Sequence, residues 1–415
     1  MLNAERDAVS TGNAAVQARY GELLAIGEFR TLLIGQTQSR FGDQLARVAL
    51  ALLVYSQTAS AVLTALVYAL TLLPPLLTAP VLAGLADRYS RRTVMVVTDL
   101  LRGILVAIMA APASPLVLVV ALVVAMACLQ PMFAAARNAT LPAVLDGDRF
   151  QLGMGVIKMA DSMAQILGFS VGGVVVVLLG GPHVALALDA ATFMISAALV
   201  RFGIQPHRPP AEPHSTRRGF AWAGVHVLRR DRRIGGIALL VWLFGFYLAP
   251  EALAAPYAHQ IEAGTITVGI LMAAAPVGVL AGSFIVTRLV PPERRGRLTV
   301  PLAFCAGIPL LINVIPLPVA LAFSAWASSG AFASYLVLAQ VQFARAVPDA
   351  LRARAIGVAS AGFDTAQGIG VLLAGAIAQA LTPSLAIAIC AAGGMVAVTL
   401  VHVTCQPSAA PQASK

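Results

Sequence analysis

Arg40, Asp43 and Arg47 stand at spacings of three and four residues in an otherwise apolar run, which puts them on one face of a helix. Neighbouring positive charge favours the carboxylate form. Asp43 is therefore expected to act as a structural pivot or a sensor of charge rather than as a free proton carrier. Asp99 and Arg102 are one turn apart and read as a local pair, and Lys158 and Asp161 repeat that spacing. Arg137 is expected to reach Asp87 or Asp99, with an arginine that snorkels to lipid headgroups as the plainer alternative. Asp364 and Asp189 have no cation within a helical turn. A carboxyl buried without a charged partner is suited to loading and releasing protons. Asp364 and Asp161 are the first candidates for that role and Asp189 the next, against the competing reading of carboxylates hydrogen-bonded to Ser or Thr.

Other chemistries lack their residues. Cys128, Cys305, Cys390 and Cys405 are isolated, without metal or redox spacing. No nucleophile stands with a base and no metal-ligand cluster occurs, so neither an enzyme nor a cofactor is expected. The lysines are Lys158 and Lys415, and neither lies in the Gly-Lys-Ser/Thr context of a phosphate-binding loop. Any work this chain does on a solute must draw on a gradient or be passive.

The elements that position these charges are apolar helices. The sequence is 59% hydrophobic and 11% charged, against about 25% charged in soluble domains, which points to a polytopic membrane protein. Crossing the hydrocarbon takes roughly 20 apolar residues. About twelve such runs can be drawn, at 30–55, 60–84, 93–112, 115–136, 155–179, 183–203, 234–256, 265–288, 298–315, 317–343, 354–381 and 384–403. Backbone in lipid must satisfy its own hydrogen bonds, so each run is helical. Pro/Gly breaks at Ala111–Pro115, Gly180–His183, Pro316–Pro318 and Thr382–Ser384 predict tight hairpins.

Basic residues fall on alternate connections. Those near Gln57, Ala113, Gly181, Gln260, Leu317 and Pro383 carry no Lys or Arg. The others hold Arg88, Arg91, Arg92, Arg149, the cluster Arg208–Arg233, Arg294, Arg295, Arg297, Arg352 and Arg354. This asymmetry predicts both termini and every Arg-rich loop in the cytoplasm. The net charge of +10 then faces anionic headgroups rather than nucleic acid. The first 28 residues lack the pattern of a cleaved signal peptide and read as a cytoplasmic tail.

The expected organisation is a tail (1–28), a six-helix bundle (29–203), a cytoplasmic linker (204–233), a second six-helix bundle (234–403) and a short tail (404–415). Within the linker, RRGFAWAGVHVLRRDRR suggests either a helix on the membrane surface or a plain basic loop. The bundles look like weak repeats. Asp161 opens a stretch to Gly172 as Asp364 does to Gly375, and Arg88 has a counterpart in Arg288. Parallel repeats of this kind place a binding site between the halves near the midplane.

Between the second and third runs stands GLADRYSRR, residues 84–92. With its position, it resembles the signature of the major facilitator superfamily, and the resemblance extends over about residues 29–403. FRTLLIGQ, RFGDQLARVALALLVY and ARNATLPAVL are similar to segments of that superfamily's bacterial drug, macrolide and siderophore exporters. The resemblance implies an all-α fold of twelve helices in two pseudo-symmetric bundles. It also implies a gate at Gly84, Asp87, Arg88, Arg91, Arg92 and Arg137, with Asp87 docking at the start of the eleventh span near Arg352–Gly357. Thr287 stands where the second half's equivalent loop would carry Asp. In AQILGFSVGG, Phe169 replaces the proline of the antiporter signature, while Ala164, Gly168 and Gly172 keep a ridge of small residues; Gly278 and Gly282 form another.

A cavity between the bundles would be mostly apolar, with Trp242 and Phe246 on its wall and Gln36, Gln165, Asn313, Gln340 and Gln367 as polar points. The resulting expectation is a monomeric exporter of a small amphiphilic compound in exchange for protons, in a bacterial cytoplasmic membrane. An importer of a small nutrient and a non-transporting membrane sensor are the rivals.

Overall fold

The computed structural model describes residues 21–74, 78, 89–112, 114–206, 226 and 228–405, and among these no strand occurs. Residues 84–88 of the GLADRYSRR stretch and most of the 204–233 linker lie outside the described residues, and with them the expectations for Gly84, Asp87, Arg88 and a surface helix.

Helix α1 (Gly27–Thr58) ends where Ala59 turns left-handed, at φ 48°. Ser60 then caps α2 (Ala61–Leu70), its side chain accepting from the Leu63 N–H. Ser90 caps α3 (Arg91–Met109) in the same way through Thr93. Pro115 precedes α4 (Leu116–Val144). Helix α5 (Asp148–Leu178) runs into Gly180 and Gly181, with φ of 92° and 117°, and Pro182 opens α6 (Pro182–Gly203). Left-handed glycines followed by Pro at the first helical position explain this tight reversal.

Asp231 caps α7 (Arg232–Ala252), accepting from the Arg233 and Ile234 N–H groups. Then come α8 (Thr265–Leu289), α9 (Pro292–Val314), α10 (Val319–Ala346), α11 (Asp349–Ala380) and α12 (Pro383–Cys405). Among the described residues, nine helices are long and apolar enough to cross a membrane. Helices α1, α2 and α3 occupy the first three expected runs, but α1 and α3 carry several charged residues and α2 has 10 residues, ending in a turn at Thr71. Several helices outlast the apolar runs that predict them, α4 by reaching Val144 and α5 by starting at Asp148. Helix α11 starts at Asp349, ahead of the expected Arg352–Gly357.

The seventh run is not one continuous helix. It breaks at Leu243, Leu248 and Leu253 before ending in Ala254–Gln260. Proline removes an N–H and clashes with the carbonyl four residues back. Pro250 and Pro256 stand two and three residues after the last two breaks, and Pro309 follows a similar break in α9 at Ala306–Gly307.

Helix α1 packs on α5 and α6, and α3 on α4 and α6; in the second group α8 packs on α10, and α12 on α11 and α9. The two groups meet where α2 lies on α11 and α5 on α8. Small residues let these helices close up. A Cβ on Gly173 would lie 2.9 Å from the Ile266 carbonyl oxygen, and Gly375 rests against Ala61 and Ala65. The ridge at Gly168 and Gly172 packs on α1 at Gln44 and Val48, and that at Gly278 and Gly282 on α10 at Ala327 and Ala331. One apolar cluster bridges the two groups, joining Val48, Tyr68 and Phe169 to Tyr257, Met272 and Val371.

Candidate functional site

The densest polar set lies inside the first group of helices. Arg102 Nη2 on α3 donates to Asp43 Oδ1 on α1 at 3.1 Å, while its Nη1 is 3.9 Å from Asp99 Oδ1. Ser196 Oγ on α6 donates to Asp99 Oδ2 at 2.6 Å. Asp189, also on α6, sits beside Gly42 of α1, and Thr192 Oγ1 donates to its Oδ1 at 3.3 Å. The guanidinium of Arg102 lies 4.1 Å from the centroid of the Phe193 ring. Asp99 and Asp189 are fully buried, and Asp189 Oδ2 has no hydrogen-bond partner among the described residues. Three helices thus bring three carboxylates around one guanidinium.

These contacts correct the sequence reading in several places. Asp43 bonds Arg102 of another helix, not the arginines flanking it on α1. Asp99 and Arg102 do approach each other, but Arg102 is closer to Asp43. Asp189 is not isolated: packing of α6 against α1 and α3 carries it into the same cluster.

A second set lies on α1, α4 and α5. Gln36 Nε2 donates to both oxygens of Asp161, at 2.8 and 3.0 Å, and Arg137 donates to Gln36 Oε1. Arg137 also donates to Asn138 Oδ1 at 2.9 Å. Among the described residues it bonds neither Asp99 nor any other carboxylate, because the amide of Gln36 stands between it and Asp161. Lys158 is exposed and makes no ion pair with Asp161 among the described residues. Arg40 is half-buried near Asp43 and Asp161.

Arg91 donates to the Ala139 carbonyl at 2.5 Å and Arg92 to the Ile204 carbonyl at 3.3 Å, so they tie the start of α3 to the last turns of α4 and to the residue after α6. Asp364 and Gln367 are half-buried on α11, and Gln165 is half-buried on α5. Trp242 is a packing residue, its Nε1 donating to the Ala359 carbonyl at 2.9 Å and its ring lying on Gly362. Phe246 rests against Gly393 and Gly394 of α12. Asn313 is fully buried between α9 and α10, donating to the Leu310 carbonyl at 3.0 Å and accepting from Trp326 Nε1 at 3.3 Å. Its amide is consumed by the second group's own core, so it is no cavity residue. Gln340 is exposed on α10.

Sequence reasoning missed Glu251. It stands in the broken part of α7, is 6% exposed, and its Oε1 accepts a hydrogen bond from the Tyr68 hydroxyl of α2. This bond crosses between the two helix groups. Arg47 lies over the Tyr68 ring, 5.5 Å from its centroid. A lone carboxylate in an apolar run was the available signal.

A family model described as Major Facilitator Superfamily matches residues 32–327. The chain belongs to the Major Facilitator Superfamily. A relative in Bacillus subtilis (strain 168), described as the uncharacterized MFS-type transporter YfiS, is 29% identical over 173 residues, which is 41% of this chain and 41% of that protein. Solved structures of similar fold include the nucleoside transporter NupG, with a TM-score of 0.71 at 14% identity, covering 92% of this chain and 100% of that one. A bacterial homologue of the human lysosomal transporter Spinster, inward-facing and unoccupied, has a TM-score of 0.65 at 15% identity, covering 91% and 95%. A POT family transporter in complex with 5-aminolevulinic acid has a TM-score of 0.73 at 11% identity, covering 90% and 95%.

This superfamily member is thus a multi-pass membrane protein of a transporter family rather than an enzyme. Among the described residues, its helix groups make polar contacts away from the arginine-bearing connections. Ser60 Oγ and the Ala61 N–H both donate to Gln379 Oε1, at 3.1 and 2.9 Å, and Tyr55 meets His259 edge-on at 5.5 Å.

Proposed function

We propose that the protein exports a small amphiphilic compound in exchange for protons, by opening the space between two six-helix bundles (29–203 and 234–403) to one side of the membrane at a time. The arginine-bearing loops, the 204–233 linker and both termini lie in the bacterial cytoplasm, and the protein works as a monomer. One observation carries this reading: several carboxylates are held inside apolar helices, and Asp161 and Asp189 among them make no direct ion pair among the described residues. Asp43, Asp99 and Asp189 gather around Arg102, with Arg40 and Arg47 of α1 near Asp43, and Asp161 is met by the Gln36 amide rather than by a direct ion pair. A buried charge without a direct ionic partner is costly, and ionisable groups inside a membrane mark ion pathways and proton relays.

Asp161 and Asp364 exchange protons in this scheme, with Asp189 as a further candidate. Asp43 and Arg102 form the pivot on which α1 and α3 move together. Gln36, Gln165 and Gln367 orient the compound against largely apolar walls. Asp87, Arg88, Arg91 and Arg92 latch the cytoplasmic gate with Arg137, as the resemblance of GLADRYSRR to the superfamily signature implies. The direction of transport rests on the resemblance of three N-terminal segments to drug, macrolide and siderophore exporters.

The test uses inverted membrane vesicles containing the protein and Hoechst 33342 as an amphiphilic probe. Export predicts accumulation of the dye in the vesicles, collapsed by a protonophore and reduced by D161N and by D364N. Accumulation that survives the protonophore, or uptake only into right-side-out vesicles, overturns the reading.

A further inference from the structure

Glu251 brings a carboxylate of the second helix group into bonding contact with the first. Its segment, Ala249–Ala252, is a separate turn of helix between the breaks at Leu248 and Leu253. Around it Leu248, Ala249, Ala252 and Leu253 are all buried. Within this apolar wall the carboxyl meets the Tyr68 hydroxyl, itself on a residue that is 7% exposed.

Tyr68 on α2 bonds Glu251, and Arg47 and Arg40 on α1 lie within electrostatic range of it. The arginines act at a distance, since neither makes an ion pair within 4.0 Å of the carboxylate among the described residues. Helices α8, α11 and α12 also pack on this segment, and among the described residues they place no charged group against the carboxyl. Beside Tyr68 lies a small cavity walled in part by Arg47, Thr64 and Thr71.

The seam beyond this point is closed. Gln379 ties the end of α11 to Ser60 and Ala61, and Tyr55 closes on His259. For the arginine-free side to open, α2 must leave α11 and α7, and the Tyr68–Glu251 bond must break. Only then does the carboxyl exchange its partner for water.

We propose that Glu251 is a proton-exchange group of the outer gate, gaining and losing its proton as the Tyr68–Glu251 contact parts and re-forms. This deepens the proton-exchange reading above and rests on it. It adds a site in the second bundle that is separate from Asp161 and Asp364. Tyr68 is its positioning residue, and Arg47 supplies the local field.

The test needs no substrate. Spin labels are placed at Gln57→Cys and Leu381→Cys, exposed positions on opposite sides of the seam, after Cys128, Cys305, Cys390 and Cys405 are replaced by Ala. The distance distribution of the full-length protein in proteoliposomes is followed from acidic to alkaline buffer. The wild-type distribution is expected to shift with pH, and E251Q, whose amide still accepts from Tyr68 but cannot ionise, is expected to lose that shift. Y68F, which keeps the carboxyl and removes its donor, moves the midpoint by about one pH unit. H259Q, which removes the imidazole beside Tyr55 at the seam, leaves the shift in place. A shift that E251Q preserves, or that H259Q abolishes, overturns this proposal alone. If E251Q does not insert, an unmoved midpoint in Y68F overturns it equally. A wild-type distribution indifferent to pH overturns it together with the proton-exchange reading beneath it.

Discussion

The two groups of helices solve their interiors differently. The first buries Asp43, Asp99, Asp189 and Arg102 between α1, α3 and α6. The second is held by neutral contacts: Trp326 on Asn313 and edge-on to Tyr257, and the Tyr335 hydroxyl on the Leu240 carbonyl at 3.1 Å. A buried ion network is a weak source of stability but is severe when broken, because it leaves an uncompensated charge. A neutral aromatic core loses mainly packing. The difference teaches that buried charge and neutral aromatic packing are divided between the halves; under the proposed function, the first carries groups that change protonation and the second is the firmer body. Glu251 and Asp364 are the exceptions, and both lie on helices that meet the first half.

That contrast can be broken by substitution. The largest effect is expected from R102A, which leaves three carboxylates without their guanidinium. It should cost about 3–5 kcal/mol and abolish transport, as read by thermal unfolding in detergent and by dye accumulation in vesicles. W326A should cost about 3 kcal/mol by opening a cavity, yet leave the pH dependence of transport in place. If R102A proves milder than W326A, the division between the halves is wrong. S196A removes a donor to the fully buried Asp99 and should cost about 1.5–3 kcal/mol, while shifting the pH profile of transport as W326A does not. Smallest is Q379A, which loses two bonds at the seam, about 1 kcal/mol in all. It should leave unfolding nearly unchanged and lengthen the Gln57–Leu381 label distance.

Much of the fold was legible in the sequence. The apolar runs, the Gly180–His183 reversal and the small-residue ridges are local patterns, and local patterns survive without knowledge of neighbours. The broken α7 follows from Pro250 and Pro256, whose weight is hard to judge in a membrane helix because neighbouring helices can re-satisfy the backbone. Partners across the fold were not legible. Asp43 and Arg102 are 59 positions apart, while helical spacing suggested Arg40 and Arg47 instead. Asn313 reads as a polar point of a cavity and lies in a core, because lipid-facing and core-facing surfaces are both apolar and leave no periodic sign of which is which.

Proton movement tests the account most directly. Proteoliposomes holding the protein and trapped pyranine are given an outward gradient of Hoechst 33342, with the membrane potential clamped. Exchange predicts acidification of the lumen as the dye leaves, abolished in D161N or D364N while dye binding persists. Dye efflux at the wild-type rate with no change in lumenal pH would contradict it.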